Sequence, residues 1–219
     1  MDITIERVIP MEEAFDRLRQ APLDAAVEEV FIYRNAIMRL CDFFVGELNP
    51  TSLYVLREHV ELQRQLRQHI LGAYGIDTLK LESVLCLKTE TGLVGMAPPV
   101  VEIYEEMVHI VPLAGDRNPP PALKLRIPIL KDGIHRAWLA HEEQMPLRCV
   151  SIHGALEGYL PYAYPNAWSS VSLLDSVPPE KKFYRRQQPY SFMRPLKVLR
   201  QVPFEHELVQ GGGPRSAEK

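Results

Sequence analysis

The sequence predicts a mixed α/β fold, with helices in the first third of the chain and a small mixed sheet after it. Up to about residue 75, apolar residues recur at the three- and four-residue spacing of amphipathic helices. Beyond that point, short runs rich in Val, Ile and Leu are separated by Gly and Pro, which is typical of strands. The change of period divides a helical part from a sheet-forming part.

Three helices are predicted in the N-terminal part. The first begins at Met11 directly after Pro10 and has acidic residues in its first turn. The second covers residues 23–46, and the third covers residues 53–71 and stops before Gly75. The polar face of the third helix mixes both signs of charge, which indicates contact with solvent.

The middle of the chain predicts strands followed by a strand–helix–strand unit. Residues 81–105 and 107–115 are interpreted as short strands, and the proline-rich stretch after them as a loop. Residues 123–133 then predict a strand, residues 134–145 a helix and residues 147–154 another strand. This order is that of a βαβ-like unit.

The predicted organisation is a helical N-terminal extension (1–75), an α/β domain (76–160), a Tyr/Arg-rich C-terminal extension (161–205) and a flexible tail (206–219). The C-terminal extension has too many aromatic residues to be disordered throughout. Its segments "SSVSLLDSV" and "YSFMRPLKVL" are expected to form short helices.

Composition excludes several classes of protein. Lys and Arg number 25 against 28 Asp and Glu, so no overall basic excess points to nucleic acid and any anion site must be local. Cys41, Cys86 and Cys149 lie far apart in apolar runs, which predicts free thiols in a reducing compartment and no zinc site. The chain has neither a secretory signal pattern nor a long apolar span, so a cytoplasmic protein that does not bind membranes is expected.

The stretch "KLRIPILKDGIHRAWLA" carries the most specific pattern. An apolar strand ends at Asp132-Gly133, and His135 and Arg136 follow in the first turn of the predicted helix. The first backbone N–H groups of a helix lie at the positive end of its dipole, which is a natural seat for phosphate. His135 and Arg136 would add charge-assisted donors, while Asp132 would cap the helix or direct a Mg²⁺ ion.

A purely structural interpretation of the same residues stays open. Asp-Gly before a helix is a common turn, His135 would complete a hydrogen-bond network, and Arg136 would pair with Glu142 or Glu143 at the surface.

A wider pattern resembles the N-terminal domain of ParB-type partition proteins and the ParB/sulfiredoxin superfamily. The matching pieces are the "PPVV" strand at Pro98 to Val101, the "DGxHR" box at residues 132–136, the Ala-containing helix after it and the strand from Val150 to Ile152. The resemblance covers residues 95–154. It implies a small nucleotide-binding α/β fold in which Gly133 and the His-Arg pair contact phosphates, with Asp132 and His135 as candidate catalytic groups and Mg²⁺ as a possible companion of the nucleotide.

The sequence departs from two branches of that superfamily. Sulfiredoxin-like proteins have a reactive cysteine in the box, where this chain has Ile134, so sulfinic-acid reduction is not expected. Partition proteins continue into a helix-turn-helix, and no such pattern follows Gly154. Nucleotide binding is therefore the expectation, and hydrolysis or phosphoryl transfer is left open.

Five further residues are candidates. Glu102 ends the "PPVV" strand and, like Glu105, is either a carboxylate for metal or base chemistry or simply solvated. His153 closes a strand that could face the same cleft as His135. Arg185 and Arg186 belong to the basic aromatic segment 181–194, described next.

Segment 181–194 interleaves Lys and Arg with Phe and Tyr. It would bind single-stranded DNA by charge and stacking, close as a lid over nucleotide phosphates, or form a solubilising edge around buried rings. Two alternatives to nucleotide binding follow. One is an adaptor that binds DNA through this segment, and the other is a non-catalytic scaffold that binds a protein partner through its long helices.

Overall fold

The computed structural model describes residues 3–22, 30–108 and 121–184. Expectations for most of the strand at 107–115, for the second C-terminal helix and for Arg185 and Arg186 lie outside the described residues. The described helices are α1 (Met11–Arg19), α2 (Arg57–Tyr74) and α3 (Ile134–Glu142), with short 3₁₀ turns at Val45–Glu47 and Trp168–Ser170. The described strands are β1 (Thr4–Pro10), β2 (Ile37–Phe43), β3 (Asn49–Pro50), β4 (Tyr54–Leu56), β5 (Ser83–Thr89), β6 (Gly92–Met96), β7 (Val100–Val108), β8 (Leu123–Asp132), β9 (Leu147–His153) and β10 (Ser172–Leu174).

A five-stranded mixed sheet forms the centre, in the order β2-β9-β7-β8-β3. β7 lies in the middle, parallel to β9 and antiparallel to β8. β2 is antiparallel to β9, and β3 is parallel to β8. An antiparallel sheet, β1-β5-β6, and a parallel pair, β4 and β10, complete the described strands. The predicted mixed α/β class is confirmed.

The second predicted helix, at residues 23–46, is wrong over its described part. Ile37–Phe43 forms β2 at the edge of the central sheet. Met38 and Leu40 pack on one side of the strand and Phe43 on the other. When apolar residues lie on both faces of a strand, their spacing along the sequence can resemble that of a helix. Here pairing with β9 determines the structure in place of this local pattern.

The strand–helix–strand unit has the predicted elements but not the βαβ topology. β8, α3 and β9 follow one another along the chain, yet β7 lies between the two strands in the sheet. Because β7 is antiparallel to β8 and parallel to β9, β8 and β9 run in opposite directions. The strand that pairs in parallel with β9 is instead β7.

Two more helix predictions need correction. The third helix begins at Arg57 rather than residue 53, because Tyr54–Leu56 pairs as β4 with β10. It stops where predicted, at Gly75, whose φ of 69° closes the helix in the left-handed region. The segment "SSVSLLDSV" is not helical, because Ser172–Leu174 forms β10 and only a 3₁₀ turn precedes it.

Helices cover both faces of the central sheet. Leu139 and Ala140 of α3 share a core with Leu130 of β8 on one face. Leu18 of α1 packs with Val150 of β9 on the other. All five side chains are at most 2% exposed, so the ends of β8 and α3 are held on a dry and rigid base.

The turn from β8 into α3 is built on Gly133. Its φ is 91°, in the left-handed region that favours glycine. A Cβ at this position would lie 2.6 Å from Cβ of Pro99. The turn therefore requires glycine for conformation and for space.

Gly133→Ala should lower the free energy of unfolding by about 2–4 kcal/mol, because it adds left-handed strain and a clash with Pro99. Gly72→Ala is the matched control, since Gly72 lies inside α2 and a Cβ added there would meet no other atom within 4 Å. That change should raise stability by about 0.5–1 kcal/mol. Urea unfolding measures both variants, and equal stability of the two would contradict this account of the turn.

Candidate anion-binding cleft

A cleft of about 290 Å³ opens where β8 ends and α3 begins. The residues just before α2 form one wall of the cleft. The end of β8 and the start of α3 form its floor, and Tyr162 and residues 181–184 form the remaining side. Its polar and aromatic lining consists of Thr51, Ser52, Tyr54, Lys131, Asp132, Gly133, His135, Tyr162, Lys181, Lys182 and Tyr184. Four separate parts of the chain therefore meet at the mouth of α3.

The predicted box residues divide into two groups. Asp132, Gly133 and His135 line the cleft, as a shared site requires. Arg136 does not line it, and the residue is only 4% exposed. Its positive charge instead acts on the thiol of Cys149 in the interior. The structure brings His135 to the cleft and turns Arg136 toward the core.

The mouth of α3 has no side-chain cap. Gly133 is the N-cap residue, and Oδ1 of Asp132 accepts the N–H of Gly133 at 3.2 Å rather than an amide inside the helix. The N–H of Ala137 donates to the carbonyl of Gly133 at 3.0 Å and closes the first turn. The amides of Ile134 and His135 precede that bond, at the positive end of the helix dipole.

His135 joins the first turn of α3 to the start of α2. Its Nε2 accepts the backbone N–H of Leu56 at 3.2 Å, so the proton of the neutral ring is on Nδ1. The ring of His59 meets it edge to face, with centroids 4.8 Å apart. Burial, followed by the charge of His59, lowers the pKa of His135 to about 4. At neutral pH the imidazole is uncharged and offers one N–H donor.

Lys131 is placed by a β-bulge just before the box. Val100 of β7 pairs with Asp132 and Val101 pairs with Leu130, so Lys131 is the extra residue of β8. A bulge of this kind re-aims a side chain. Nζ of Lys131 lies 3.2 Å from Oε2 of Glu102, and the two side chains are 2% and 3% exposed.

A buried tyrosine completes that ion pair. Tyr33 is fully buried, and its hydroxyl donates to Oε2 of Glu102 at 2.6 Å. Burial, with the charge of Glu102 as the next cause, raises the pKa of Tyr33 well above its ordinary value, so the phenol keeps its proton. Glu102 is therefore satisfied by an ammonium and a hydroxyl, and the expectation of a solvated carboxylate was wrong.

Two lysines flank one aromatic ring in the cleft. Nζ of Lys131 lies 5.1 Å and Nζ of Lys182 lies 4.5 Å from the centroid of the Tyr162 ring. Nζ of Lys182 also donates to the hydroxyl of Tyr162. Cation–π contact holds both ammonium groups in place while Lys182 stays partly exposed.

The other candidates lie away from the cleft. Glu105 is exposed and pairs with Lys124 at 2.6 Å. His153 is hydrogen bonded to Ser151, with Nε2 2.8 Å from Oγ, and it does not line the cleft. Within residues 3–22, 30–108 and 121–184, no group of three His, Cys, Asp or Glu side chains could hold a metal ion. None of the described helices is both long and apolar enough to cross a membrane.

Sequence reasoning missed part of this cleft. Lys131 left a signal, because it interrupts an apolar strand directly before Asp132. No sequence signal indicated that Tyr162 or residues 51–54 belong to the cleft. They come together there because a C-terminal segment of the chain folds back onto residues 51–54. That segment is fixed by the N–H of Leu53, which donates to the carbonyl of Lys181 at 3.0 Å.

Residues 13–118 match the family model of the ParB CE domain, over slightly less than half of the 219-residue chain. The predicted resemblance to ParB-type proteins is thereby confirmed, although the matched range ends before the box at residues 132–136. The two ranges overlap at residues 95–118, which include β7. No curated protein and no solved structure matches the chain.

The buried ion pair should matter far more than an exposed one. Lys131→Met leaves Glu102 without its ammonium partner and should cost about 3–5 kcal/mol of unfolding free energy. Lys124→Met is the matched control, because its pair with Glu105 is exposed and should be worth about 1 kcal/mol or less. Urea unfolding of both variants compares them, and similar losses would contradict a stabilising role for the buried pair.

Proposed function

We propose that the cleft at the mouth of α3 binds a phosphorylated ligand, and that this ligand is a nucleotide. The observation that carries the proposal is the meeting of a helix N-terminus with lysine side chains around one open space. Backbone amides at a helix start and ammonium groups are the two commonest ways in which proteins hold phosphate.

The charge of the cleft favours an anion. Among the described residues, three lysines and one carboxylate, Asp132, line it. Glu102 lies behind Lys131 and offsets part of that positive charge. Lys181 and Lys182 have no such buried counter-charge among the described ion pairs, so they are the groups best able to attract phosphate oxygens.

Each box residue has a distinct part in the proposal. The amides of Ile134 and His135 and the ammonium of Lys182 would contact phosphate oxygens. Neutral His135 would donate one hydrogen bond from Nδ1 rather than supply charge. Buried Arg136 would act as a positioning residue that fixes α3 on the sheet.

Asp132 supports a role for Mg²⁺. Mg²⁺ is usually held by one or two carboxylates together with the phosphates of a nucleotide. Asp132 is the described carboxylate in the lining, so the donor set fits an ion that arrives with its ligand. Such an ion would neutralise phosphate charge, and Asp132 would orient it at the mouth of α3.

The size and aromatic lining of the cleft favour a small nucleotide. Its volume of about 290 Å³ lies just below the usual range of small-molecule sites, which is about 300–1,000 Å³. Tyr54 and Tyr184 line the same space and offer ring faces on which a base can stack. The substrate class proposed is therefore a single nucleotide rather than a polymer.

The alternatives receive less support from the described residues. Of the basic aromatic segment 181–194, Lys181, Lys182 and Tyr184 line the cleft, as expected for a lid over phosphates. A scaffold function called for an uncovered apolar face on α2. Val60 and Ile70 of that helix are buried, whereas Leu62, Leu71 and Tyr74 are exposed. Binding of DNA stays a prediction for a ParB-like chain.

Thermal unfolding with a panel of nucleoside mono-, di- and triphosphates, each with and without Mg²⁺, tests the proposal. A ligand present at 100 times its Kd should add about 2.7 kcal/mol of stability. Lys182→Gln should weaken affinity about tenfold or more, because it removes a charged donor to phosphate. Lys124→Gln, an exposed lysine outside the cleft lining, is the control and should bind like the wild type.

Two results would contradict the proposal. One is the absence of stabilisation by any nucleotide, and the other is equal affinity of wild type and Lys182→Gln. Binding of single-stranded DNA that weakens steeply with salt, without any response to nucleotides, would favour the adaptor instead.

A further inference from the structure

Two of the three cysteines face each other across neighbouring strands. Cys41 of β2 and Cys149 of β9 are register partners in an antiparallel pair. The flanking pair of Asp42 and Arg148 is joined by an ion pair, with Oδ1 and Nε 2.7 Å apart. Directly opposed residues of an antiparallel pair point to the same face of the sheet, so the two thiols lie side by side.

The backbone spacing expected for this register is compatible with a disulfide. Residues directly opposed in an antiparallel ladder have Cα atoms about 4.5 or 5.5 Å apart. Disulfides span Cα distances of about 4.4–6.8 Å and Cβ distances of about 3.5–4.5 Å. Opposed residues have Cβ atoms about 4.5–5.5 Å apart, so the bond requires at most a small approach of the two strands. Cys86 lies in β5, which belongs to the other antiparallel sheet, and is not opposed to a cysteine.

The two thiols differ in access. Cys41 is partly exposed on an edge strand, whereas Cys149 is fully buried. Sγ of Cys149 lies 3.6 Å from the carbonyl of Leu147. Burial raises the pKa of Cys149, although the charge of Arg136 opposes that effect. An oxidant in solution therefore meets Cys41 first, and Cys149 is placed to react second.

We propose that Cys41 and Cys149 form a dithiol that closes into an intramolecular disulfide when a peroxide oxidises Cys41. The sulfur of Cys41 attacks one peroxide oxygen, the O–O bond breaks, and Cys41 becomes a sulfenic acid while the other oxygen leaves as water. The sulfur of Cys149 then attacks Sγ of Cys41, an S–S bond forms, and the hydroxyl group leaves with the proton of Cys149 as a second water. The two thiols lose two electrons and the peroxide gains them.

The bond would fasten the edge strand β2 to β9 beneath α3. Cys149 shares its core with Ala137 and Leu139 of α3 and lies within the field of Arg136. The closed loop would span most of the described chain, and long loops gain the most from a cross-link. Oxidation should therefore raise the melting temperature by several degrees.

Intact and peptide mass spectrometry of the full chain tests the proposal. The reduced protein is treated with hydrogen peroxide, and the remaining thiols are blocked by alkylation. The oxidised monomer should weigh two hydrogen atoms less before alkylation, keep one alkylatable thiol at Cys86, and yield a peptide linked through Cys41 and Cys149. Dithiothreitol should restore three alkylatable thiols and the original melting temperature.

Three variants separate this pair from the other thiol. Cys86→Ala is the matched control and should form the same linked peptide as the wild type. Cys41→Ala and Cys149→Ala should each lose it. If the buried Cys149→Ala change impairs folding, the wild-type peptide map still shows whether Cys41 and Cys149 are linked.

Other products would overturn the proposal. These are oxygen added at Cys41 without a linked peptide, a disulfide between two chains, a bond that includes Cys86, or three thiols that stay reduced at peroxide levels that oxidise an unfolded sample.

Discussion

The buried ion pair between Lys131 and Glu102 is the interaction on which the cleft depends. Taking two charges out of water costs several kcal/mol for each ion, and only close geometry with further hydrogen bonds offsets it. Here the separation is 3.2 Å, and the hydroxyl of Tyr33 supplies the further bond. Because an error in either strand would leave a buried charge alone, the pair fixes β7 against β8 at the point where the chain turns into α3.

The remaining features of the cleft follow from that fixed point. The bulge removes Lys131 from the regular pairing of β7 and β8 and directly precedes Gly133. The left-handed turn at Gly133 passes close to Pro99. The helix that follows begins without a side-chain cap, and its first histidine ties it to the backbone of Leu56. Lysines and the first residues of α3 thus line one space although they come from distant parts of the chain.

The sequence predicted local features well and long-range ones poorly. The strand, turn and helix around Gly133 were correct because Asp-Gly, an apolar run and helical spacing are local signals. The helix predicted at residues 23–46 was wrong where β2 forms. Apolar residues lie on both faces of that segment, and it becomes a strand only because it pairs with β9. Arg136 was predicted to be a phosphate ligand because it follows His135 in the first turn of α3. Adjacent residues of a helix point about 100° apart, however, and Arg136 points into the core. The position of Tyr162 in the cleft could not be predicted, because it depends on the C-terminal segment folding back, and no local sequence pattern indicates that fold.

The most direct test of the account follows backbone amide signals of the ¹⁵N-labelled chain by NMR during titration with inorganic pyrophosphate. The central claim is that the mouth of α3 is the anion site, so the amides of Ile134 and His135 should shift, saturate together and respond along with residues 181–184. Saturable shifts confined to other surfaces, or signals of Ile134 and His135 that stay unchanged while pyrophosphate binds, would contradict it.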